Sequence, residues 1–268
     1  MLDKYGQIIV DECHHISAFS FEAILKQAKA RYVIGLTATP VRRDGHHPII
    51  FMQCGPVRHS AEITETAPTQ LEVWLRRLPT PEIPFDAGIQ DVFRILANDA
   101  SRNRRIAQDV LSAYQEGRKI IVLTERTDHL ELLRKALSDE VEHCFVLHGR
   151  LSKRQRATIF AELAGLCDQA PRILMATGRL VGEGFDYPPL DTMVLAMPIS
   201  WKGTLQQYAG RLHREYSFKQ DVRIYDYVEH DQPRLARMWD KRQRGYRAMG
   251  YRFRCADEFD LGKPVKVK

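Results

Sequence analysis

Short apolar runs alternate with longer amphipathic stretches along most of the chain. The runs are rich in branched residues and bounded by polar ones, which is typical of strands buried in a parallel sheet. The stretches between the runs repeat apolar residues every three or four positions and therefore predict helices. Strands that alternate with helices predict right-handed crossovers and a parallel-sheet α/β fold. The predicted strands are QIIV, RYVIG, KIIVLT, EHCFVLH, RILMAT, DTMVLAM and VRIYDYV.

Local sequence signals give the helices their expected ends. Ser20 and Ser101 are suitable N-caps for the first and third helices, because their hydroxyls can accept hydrogen bonds from free backbone amides. Gly117 is expected to end the third helix. The predicted helices cover about 20–30, 88–97, 102–116, 127–138, 152–163 and 203–214.

Two stretches interrupt this series and suggest domain boundaries. TQLEVWLRRL alternates Leu71, Val73 and Leu75 with polar or bulky residues and predicts a half-exposed strand. The prolines of the following PTPEIPFDAG predict a linker. The expected divisions are a first domain over 1–77, a linker over 78–87, a second domain over 88–230 and a basic aromatic tail over 231–268.

The tail admits two interpretations. Its arginines and lysines are interleaved with Trp239, Tyr246, Tyr251 and Phe253, which could stack bases beside bound phosphates. Its apolar residues also recur at helical spacing, which predicts a face packed on the second domain with the arginines left in solvent. The two interpretations are compatible on opposite faces of one helix. The residues with helical spacing are Leu235, Met238, Trp239, Arg242, Tyr246 and Met249.

Composition excludes several classes of protein and favours one kind of partner. The 268 residues are 44% hydrophobic, which is enough for one or two packed domains. No apolar run reaches bilayer length and MLDKYG does not resemble a secretory signal, so we expect no membrane association and no export. Five cysteines without a C-x-x-C pair indicate a reducing, cytoplasmic location. The net charge of +6 is typical of nucleic-acid binders.

Asp11 and Glu12 follow the first predicted strand, at the edge of a parallel sheet where ligands bind. Adjacent carboxylates are costly there unless a cation compensates them, and a divalent ion with bound phosphates would do so. One acid could hold the ion through water while its neighbour activates an attacking water. The alternative is a strand end with solvated acids.

The segment QQYAGRLHRE places Gln207, Gly210, Arg211 and Arg214 on one face of a predicted helix. Two arginines and a glutamine, with a glycine that allows close approach, suit an anionic phosphate. A solvent-exposed polar stripe is the alternative.

The strand RILMAT leads into a segment that contains Gly178, Gly182 and Gly184 and ends at Asp186. Glycines let backbone amides approach a ligand, and the Asp186 carboxylate could bind a ribose hydroxyl. Glycine-rich turns after strands are common, so this pattern alone is weak.

The order of five motifs makes the pattern specific. In that order and spacing they resemble the superfamily 2 helicases and translocases, with a DECH box, over about residues 5–230. The form GLTATPVRRDG is similar to the DEAH-type branch, which includes excision-repair and type I and III restriction translocases. The resemblance implies two RecA-like α/β domains, the first incomplete here and the second complete. The motifs are DECH at 11–14, TATP at 37–40, LHGR at 147–150, ATGRLVGEGFD at 176–186 and QYAGRLHR at 207–214.

The resemblance assigns nucleotide roles to residues of both domains. Asp11 would hold Mg²⁺ through water, and Glu12 would activate the water that hydrolyses ATP. Arg211 and Arg214 would be arginine fingers that reach the γ-phosphate. The residues expected to approach the nucleotide or relay its state are His14, Gly184, Asp186 and Gln207.

The resemblance also assigns residues to a nucleic acid. Thr37 and Thr39 would couple hydrolysis to movement of the strand. Contacts with backbone phosphates would give little sequence preference, and the branch of the family favours DNA over RNA. The residues expected to contact the strand or couple to it are Thr124, Arg126, His148, Gly149 and Thr177.

One element of the family pattern has no match in the sequence. The phosphate-binding loop G-x-x-x-x-G-K-[ST] is missing, because the single Gly-Lys pair, Gly262-Lys263, is followed by Pro264. The amides and lysine of that loop hold the β- and γ-phosphates, so the isolated chain is expected to bind ATP poorly and hydrolyse almost none. The first domain is also expected to have unpaired sheet edges and an uncovered apolar face.

Three hypotheses about function follow from these observations. The first is a nucleic-acid-dependent ATPase of helicase or translocase type, active only with its missing half. The second is a non-catalytic nucleic-acid-binding module, and the third is a subunit that lends arginine fingers to a partner's nucleotide. The missing half could belong to a longer enzyme, to a separate polypeptide or to the parent of a laboratory fragment, and we favour truncation of a longer enzyme.

Overall fold

The structure is a computed structural model in which the chain forms two compact units, Met1–Glu65 and Thr66–Lys268. Each unit has its own parallel sheet and is described by itself. The residues that the structure describes are 4–11, 13, 19–37, 47–60, 70–137, 140–178, 186–199, 202–216 and 219–255.

The smaller unit is built on two parallel strands, β1 (Gln7–Val10) and β2 (Tyr32–Gly35), as the apolar runs predict. Successive residues of each strand point to opposite sides. One side packs against two helices, whereas Ile9 and Ile34 on the other side are 60% and 43% exposed. One face of the smaller sheet is therefore covered by helices, and the other face is apolar and exposed. The two helices are α1 (Phe19–Lys26) and α2 (His47–Cys54).

The larger unit contains a seven-stranded sheet in which every paired neighbour is parallel, which confirms the predicted fold class. Its strands are β3 (Gln70–Arg77), β4 (Lys119–Thr124), β5 (Cys144–Leu147), β6 (Arg172–Thr177), β7 (Thr192–Leu195), β8 (Asp221–Val228) and β9 (Arg252–Cys255). The order across the sheet is β5-β6-β4-β7-β8-β3-β9.

Helices cover both faces of this sheet. Ile120 and Val122 of β4 pack with helices α4 (Ala100–Gln115) and α5 (Thr127–Leu137). Ile121 and Leu123 pack on the opposite side with α6 (Lys153–Gly165), α7 (Lys202–Leu212) and α8 (Pro233–Ala248). All four residues are 3% exposed or less, so the central strands are buried on both sides as their continuous apolar sequence predicts. The larger unit also contains α3 (Ile89–Asn98).

The position of β3 corrects the expected domain boundary. The sequence interpretation placed residues 66–77 in the first domain, but β3 pairs with β8 on one side and β9 on the other in the larger sheet. It is also more buried than predicted, because Trp74 and Arg76, which alternate with its apolar residues, are covered as well. The Arg76 guanidinium binds Asp109 of α4 at 2.9 Å, and the Trp74 ring lies 5.5 Å from that of Tyr225.

The tail is part of the larger unit up to the end of β9. Trp239 and Tyr246 of α8 are 4% and 0% exposed, which confirms the packing interpretation of the helical stripe. The Arg242 side chain of that stripe is buried too, because its guanidinium binds both carboxylate oxygens of Asp226 at 2.8 and 2.9 Å. Residues 231–255 are therefore not a separate tail.

Two predicted N-caps differ from those in the structure, whereas the predicted end of α4 is confirmed. The N-cap of α4 is Asp99, whose carboxylate accepts from the Arg102 amide at 2.7 Å, and not Ser101, which lies in the first turn. Ser20 likewise lies inside α1, which begins at Phe19. Gly117 follows α4 with a φ of +84°, a left-handed conformation that glycine adopts at little cost.

Candidate functional site

Three neighbouring strands of the larger sheet end at one edge, and predicted site residues follow each of them. β4 ends at Thr124, β6 ends at Thr177, and β5 leads into His148 and Gly149. Thr124 and Thr177 are partners in the register of β4 and β6. The structure therefore brings these residues together. We call them, with Arg126, the carboxyl-edge group.

Thr124 is buried, and its hydroxyl is engaged within the protein. It lies 3.1 Å from Nδ1 of His129 and accepts from the Arg126 amide at 3.3 Å. Nε2 of His129 lies 2.9 Å from the amide oxygen of Asn103, which assigns the ring proton to Nε2 in a neutral imidazole. Burial lowers the pKa of His129 to about 3, and the Arg102 guanidinium adds to this effect. Thr124 is therefore placed to hold the loop after β4 rather than to touch a ligand.

Arg126, His148 and Gly149 are the more accessible members of the carboxyl-edge group. The Arg126 guanidinium pairs with Asp128 at 2.9 Å, where both side chains are partly exposed. Nδ1 of His148 accepts from the Arg150 amide at 3.3 Å, and Gly149 is exposed with open space beside its Cα. These residues offer a guanidinium, an imidazole and an accessible backbone, which are groups that bind phosphates.

A buried contact joins this edge to α7. Tyr208 of α7 is 4% exposed, and its hydroxyl donates to the Glu125 carboxylate at 3.4 Å. Gly178, directly after β6, lies against both groups, because a Cβ at that position would overlap the Tyr208 hydroxyl and the Glu125 carboxylate. Burial raises the pKa of Glu125, and the bond from Tyr208 opposes that shift. Close packing of three segments therefore requires glycine at 178.

The predicted phosphate-binding side chains lie on and just after α7. Gln207 and Arg211 are half-buried and one helical turn apart on the same face. Arg211 forms no ion pair with any residue that the structure describes, so its guanidinium is suited to an external anion. Arg214 is exposed after the helix end, and its Nε lies 3.4 Å from the Asp186 carboxylate.

Asp186 and Arg214 lie near the opposite, amino-terminal edge of the sheet, because they precede β7 and β8. Lys219 ties their segments together. Its Nζ donates to the backbone carbonyls of Pro188, Leu212 and Arg214 at 2.6, 3.0 and 2.7 Å. Burial lowers the pKa of Lys219 to about 8. The predicted residues of the larger unit thus form two groups, joined by α7.

In the smaller unit, Asp11 and Thr37 follow the two paired strands and lie at the carboxyl edge of that sheet. The Cys13 amide donates to the Leu36 carbonyl and the Leu36 amide to the Val10 carbonyl, both at 2.9 Å, which continues the pairing past the strand ends. Asp11 is exposed at this edge, as expected for an acid that meets a ligand. The other predicted residues, Glu12, His14, Thr39 and Gly184, lie outside the described residues.

Sequence reasoning missed Glu125, Tyr208 and Lys219. Tyr208 has helical spacing with the apolar residues of α7, which is the signal of an ordinary core position. Glu125 lies between the predicted site residues Thr124 and Arg126, and this position is the only sign in the sequence that it belongs to the site. Lys219 precedes a strand, and no sequence pattern distinguishes a lysine that binds three carbonyls from a solvated one.

Two further findings concern metal ions and membranes. The described part of the chain contains no group of three or more His, Cys, Asp or Glu side chains that could hold a metal ion directly. A Mg²⁺ ion bound to one carboxylate through water would need no such group. No described helix is long and apolar enough to cross a membrane.

Comparison with protein families matches both units. Residues 103–215 match the helicase conserved C-terminal domain, and residues 1–42 match the type III restriction enzyme res subunit. The first match contains the whole carboxyl-edge group and α7, and the second contains Asp11 and Thr37.

Curated relatives of the chain include helicases from a phage and a bacterium. The helicase D10 of Escherichia phage T5 is 26% identical over 231 residues, 84% of this chain and 49% of that protein. The DNA 3'-5' helicase XPB of Kineococcus radiotolerans is 27% identical over 277 residues, 97% of this chain and 46% of that protein. The chain spans about half the length of these relatives.

Among solved structures, S. cerevisiae Dbp5 bound to RNA and ADP BeF3 shares the fold. It has a TM-score of 0.62 and 12% identity, and the match covers 97% of this chain and 62% of the Dbp5 chain. The parallel sheets, the two matched families and these helicase relatives lead to one conclusion. The chain belongs to superfamily 2 of the helicases, with the α/β fold of RecA-like helicase domains.

Proposed function

We propose that this chain provides the arginine-bearing lobe of an ATP-dependent helicase or translocase that moves along nucleic acid, with DNA favoured over RNA. The observation that carries the proposal is the position of α7. Through Tyr208, near the middle of the helix, α7 contacts Glu125 in the loop after β4, and Arg214 lies two residues beyond the carboxyl end of α7. One rigid element therefore connects residues suited to a nucleic-acid backbone with residues suited to a triphosphate.

Arg211 and Arg214 are proposed to act as arginine fingers on the γ-phosphate of ATP. Phosphoryl transfer depends on positioning and charge neutralisation, and an arginine finger typically contributes about 10³–10⁵ in rate. Gln207, Gly184 and Asp186 would position the nucleotide from the same lobe. ATP brings Mg²⁺ with it, which Asp11 would hold through water.

The remaining predicted residues have supporting roles in this proposal. Glu12 would orient or deprotonate the attacking water, and His14 would relay the nucleotide state. Thr37 and Thr39 would couple turnover to the strand from the first lobe. In the second lobe the direct strand contacts would come from Arg126, His148, Gly149 and Thr177, while Thr124 would act through its bonds to the β4 loop.

Closure of two lobes on ATP and opening after hydrolysis would step the protein along a strand. The sequence contains no G-x-x-x-x-G-K-[ST] loop, so we propose that these phosphate contacts come from outside the 268 residues. They would come from the rest of a longer enzyme or from a partner polypeptide.

The experiment is ATP hydrolysis with and without single- or double-stranded DNA and RNA, by the chain alone and with an added P-loop-bearing fragment of a relative. We expect almost no turnover by the chain alone. We expect nucleic-acid-stimulated turnover with the fragment, and loss of that turnover in Arg211→Ala. Stimulation that survives Arg211→Ala would refute the arginine-finger role.

A second candidate is a non-catalytic module that binds nucleic acid or lends arginines to a partner. The Arg211 guanidinium, which forms no ion pair with any described residue, supports the lending of an arginine to a partner. Nucleic-acid binding by the chain, with no turnover in any mixture, would support this candidate over the first.

A further inference from the structure

The helix α8 has two faces with opposite functions in the fold. Its apolar face is part of the core, with Leu235, Trp239 and Tyr246 each 4% exposed or less. The Arg242 guanidinium on the same side binds Asp226 and donates to the Ile199 carbonyl at 3.0 Å. These contacts fix the orientation of α8, so its other face is a rigid surface.

The outward face of α8 is almost uniformly basic. Its exposed charged residues include a single acid, Asp240. No ion pair within the described part of the chain involves the basic residues of this face. We call them the α8 stripe, and they are Arg234, Arg237, Lys241, Arg244 and Arg247.

On two other exposed helix faces of the larger unit, basic side chains are neutralised by acids of the same helix. Arg94 of α3 pairs with Asp91 at 2.7 Å, and Arg134 of α5 lies 4.0 Å from Glu131. These are the i,i+3 pairs expected of a helix face that only meets solvent. The α8 stripe lacks such partners, so its positive charge remains available to an external anion.

The chemistry of the stripe indicates the kind of anion. It runs from Arg234 to Arg247, about 20 Å of helix at 1.5 Å per residue, with a basic side chain roughly every turn. Each strand of a duplex carries one phosphate per about 3.4 Å of duplex axis, so a row of this length can contact several of them. A regular row of charges of this length fits a nucleic-acid backbone better than a single small anion.

The aromatic residues of this region contribute no stacking surface. The Trp239 and Phe253 rings meet edge to face at 6.0 Å, and Tyr246 and Tyr251 are buried. The stacking interpretation of the basic aromatic tail is therefore wrong for these rings. Contacts from the stripe would be electrostatic, without base preference.

We propose that the α8 stripe binds the phosphate backbone of a nucleic acid, as a contact separate from the carboxyl-edge group. This inference rests on the nucleic-acid partner of the proposed function and extends its footprint beyond the helicase motifs. It requires no ATP hydrolysis, so the chain itself can be tested.

The test compares two triple variants that remove the same charge. One is Arg237→Gln, Lys241→Gln and Arg244→Gln on the stripe. The matched control is Arg94→Gln, Arg104→Gln and Arg134→Gln on exposed positions of α3, α4 and α5. Fluorescence anisotropy with labelled 20-mer single-stranded and duplex DNA, from 50 to 200 mM NaCl, measures affinity and its salt dependence.

For duplex DNA we expect the stripe variant to reduce the slope of log K against log salt by roughly 2.7, or 0.9 per lost contact. At 100 mM salt this corresponds to binding weaker by on the order of 10²-fold. The control should change the slope far less, and both variants should keep the thermal midpoint of the parent because the replaced side chains are exposed.

Equal effects of the two variants would overturn the inference, because they would reflect net charge alone. Arg126→Ala separates the stripe from the proposed function. If Arg126→Ala weakens binding while the stripe variant binds like the control, the stripe inference fails and the proposed function stands. Labelled poly-glutamate tests the assignment to nucleic acid. If the stripe variant weakens binding of poly-glutamate as much as binding of DNA, the assignment is overturned and an acidic polypeptide partner is indicated.

Discussion

The two sheets of this protein have similar apolar strands but different surroundings. In the larger unit, Ile121 on one side of β4 and Val122 on the other are 2% and 0% exposed. In the smaller unit, Ile9 and Ile34 point to a side on which they remain 60% and 43% exposed. A parallel sheet normally has helices on both faces. Helices of its own unit cover both faces of the larger sheet, whereas the described helices of the smaller unit cover one face of its sheet.

This difference gives each unit a different source of stability. The larger unit combines three apolar clusters with buried ion pairs and is expected to unfold cooperatively. Among its described residues, the smaller unit has one small cluster around Cys13 and Ile50. All three tryptophans, Trp74, Trp201 and Trp239, belong to the larger unit. Tryptophan fluorescence therefore reports on the larger unit alone, and this separates the two in an unfolding experiment.

The largest effect is expected from breaking a buried pair in the larger unit. Arg242→Met leaves the Asp226 carboxylate buried with only the Tyr246 hydroxyl, which donates to it at 2.8 Å. We expect a loss of about 3–5 kcal/mol in the free energy of unfolding, measured by urea titration of tryptophan fluorescence. The double variant with Asp226→Leu should recover much of the loss, because no unpaired charge remains. A single variant as stable as the parent would contradict this prediction.

A matched pair of truncations tests the comparison directly. Ile121→Ala should cost about 2–5 kcal/mol, because it opens a cavity in a sheet covered on both faces. Ile9→Ala removes the same atoms from an exposed position and should change stability by less than about 0.5 kcal/mol. Circular dichroism during urea unfolding follows both units. A cost for Ile9→Ala that equals that of Ile121→Ala would show that the open face is covered in solution.

Acid should destabilise the larger unit through His129. Its folded pKa of about 3 lies below the value of 6.5 for an exposed histidine, so the unfolded chain takes up the proton first. Its contribution to stability is complete above pH 6.5 and is lost as the pH falls towards 3. Between pH 7 and 5 this amounts to about 2 kcal/mol. His129→Gln should reduce the fall in the free energy of unfolding between pH 7 and 5, measured by urea titration of tryptophan fluorescence. If this fall is unchanged in the variant, His129 is not its source.

The smallest effect concerns the cap of α4. Asp99→Ala removes the acceptor of the Arg102 amide and should cost about 1 kcal/mol. Ser101→Ala should cost less, because the Ser101 hydroxyl only donates to the Asp99 carboxylate at 2.6 Å. Thermal unfolding of the two variants ranks them. A larger loss of stability in Ser101→Ala than in Asp99→Ala would show that Ser101 is the cap.

Much of the candidate site can be predicted from the sequence, because its residues directly follow strands that the sequence predicts. The runs KIIVLT and RILMAT predict β4 and β6, and the residues after them share an edge because parallel strands end together. Thr124 and Thr177 lie side by side for this reason. The sequence did not distinguish the buried Thr124, bound to His129, from the more accessible Arg126. That distinction depends on α4, which brings Asn103 to the His129 ring.

Local pattern by itself determined the strands, most helix positions and the motif order that identifies a superfamily 2 helicase, because each depends on residues close together in the chain. Tertiary structure decided which sheet β3 joins, which side of α8 is buried, and the contacts of Tyr208 with Glu125 and of Lys219 with three carbonyls. These features depend on partners far away in the sequence. Alternation of apolar residues says that a strand has a buried face, but only packing in three dimensions determines which neighbours cover it.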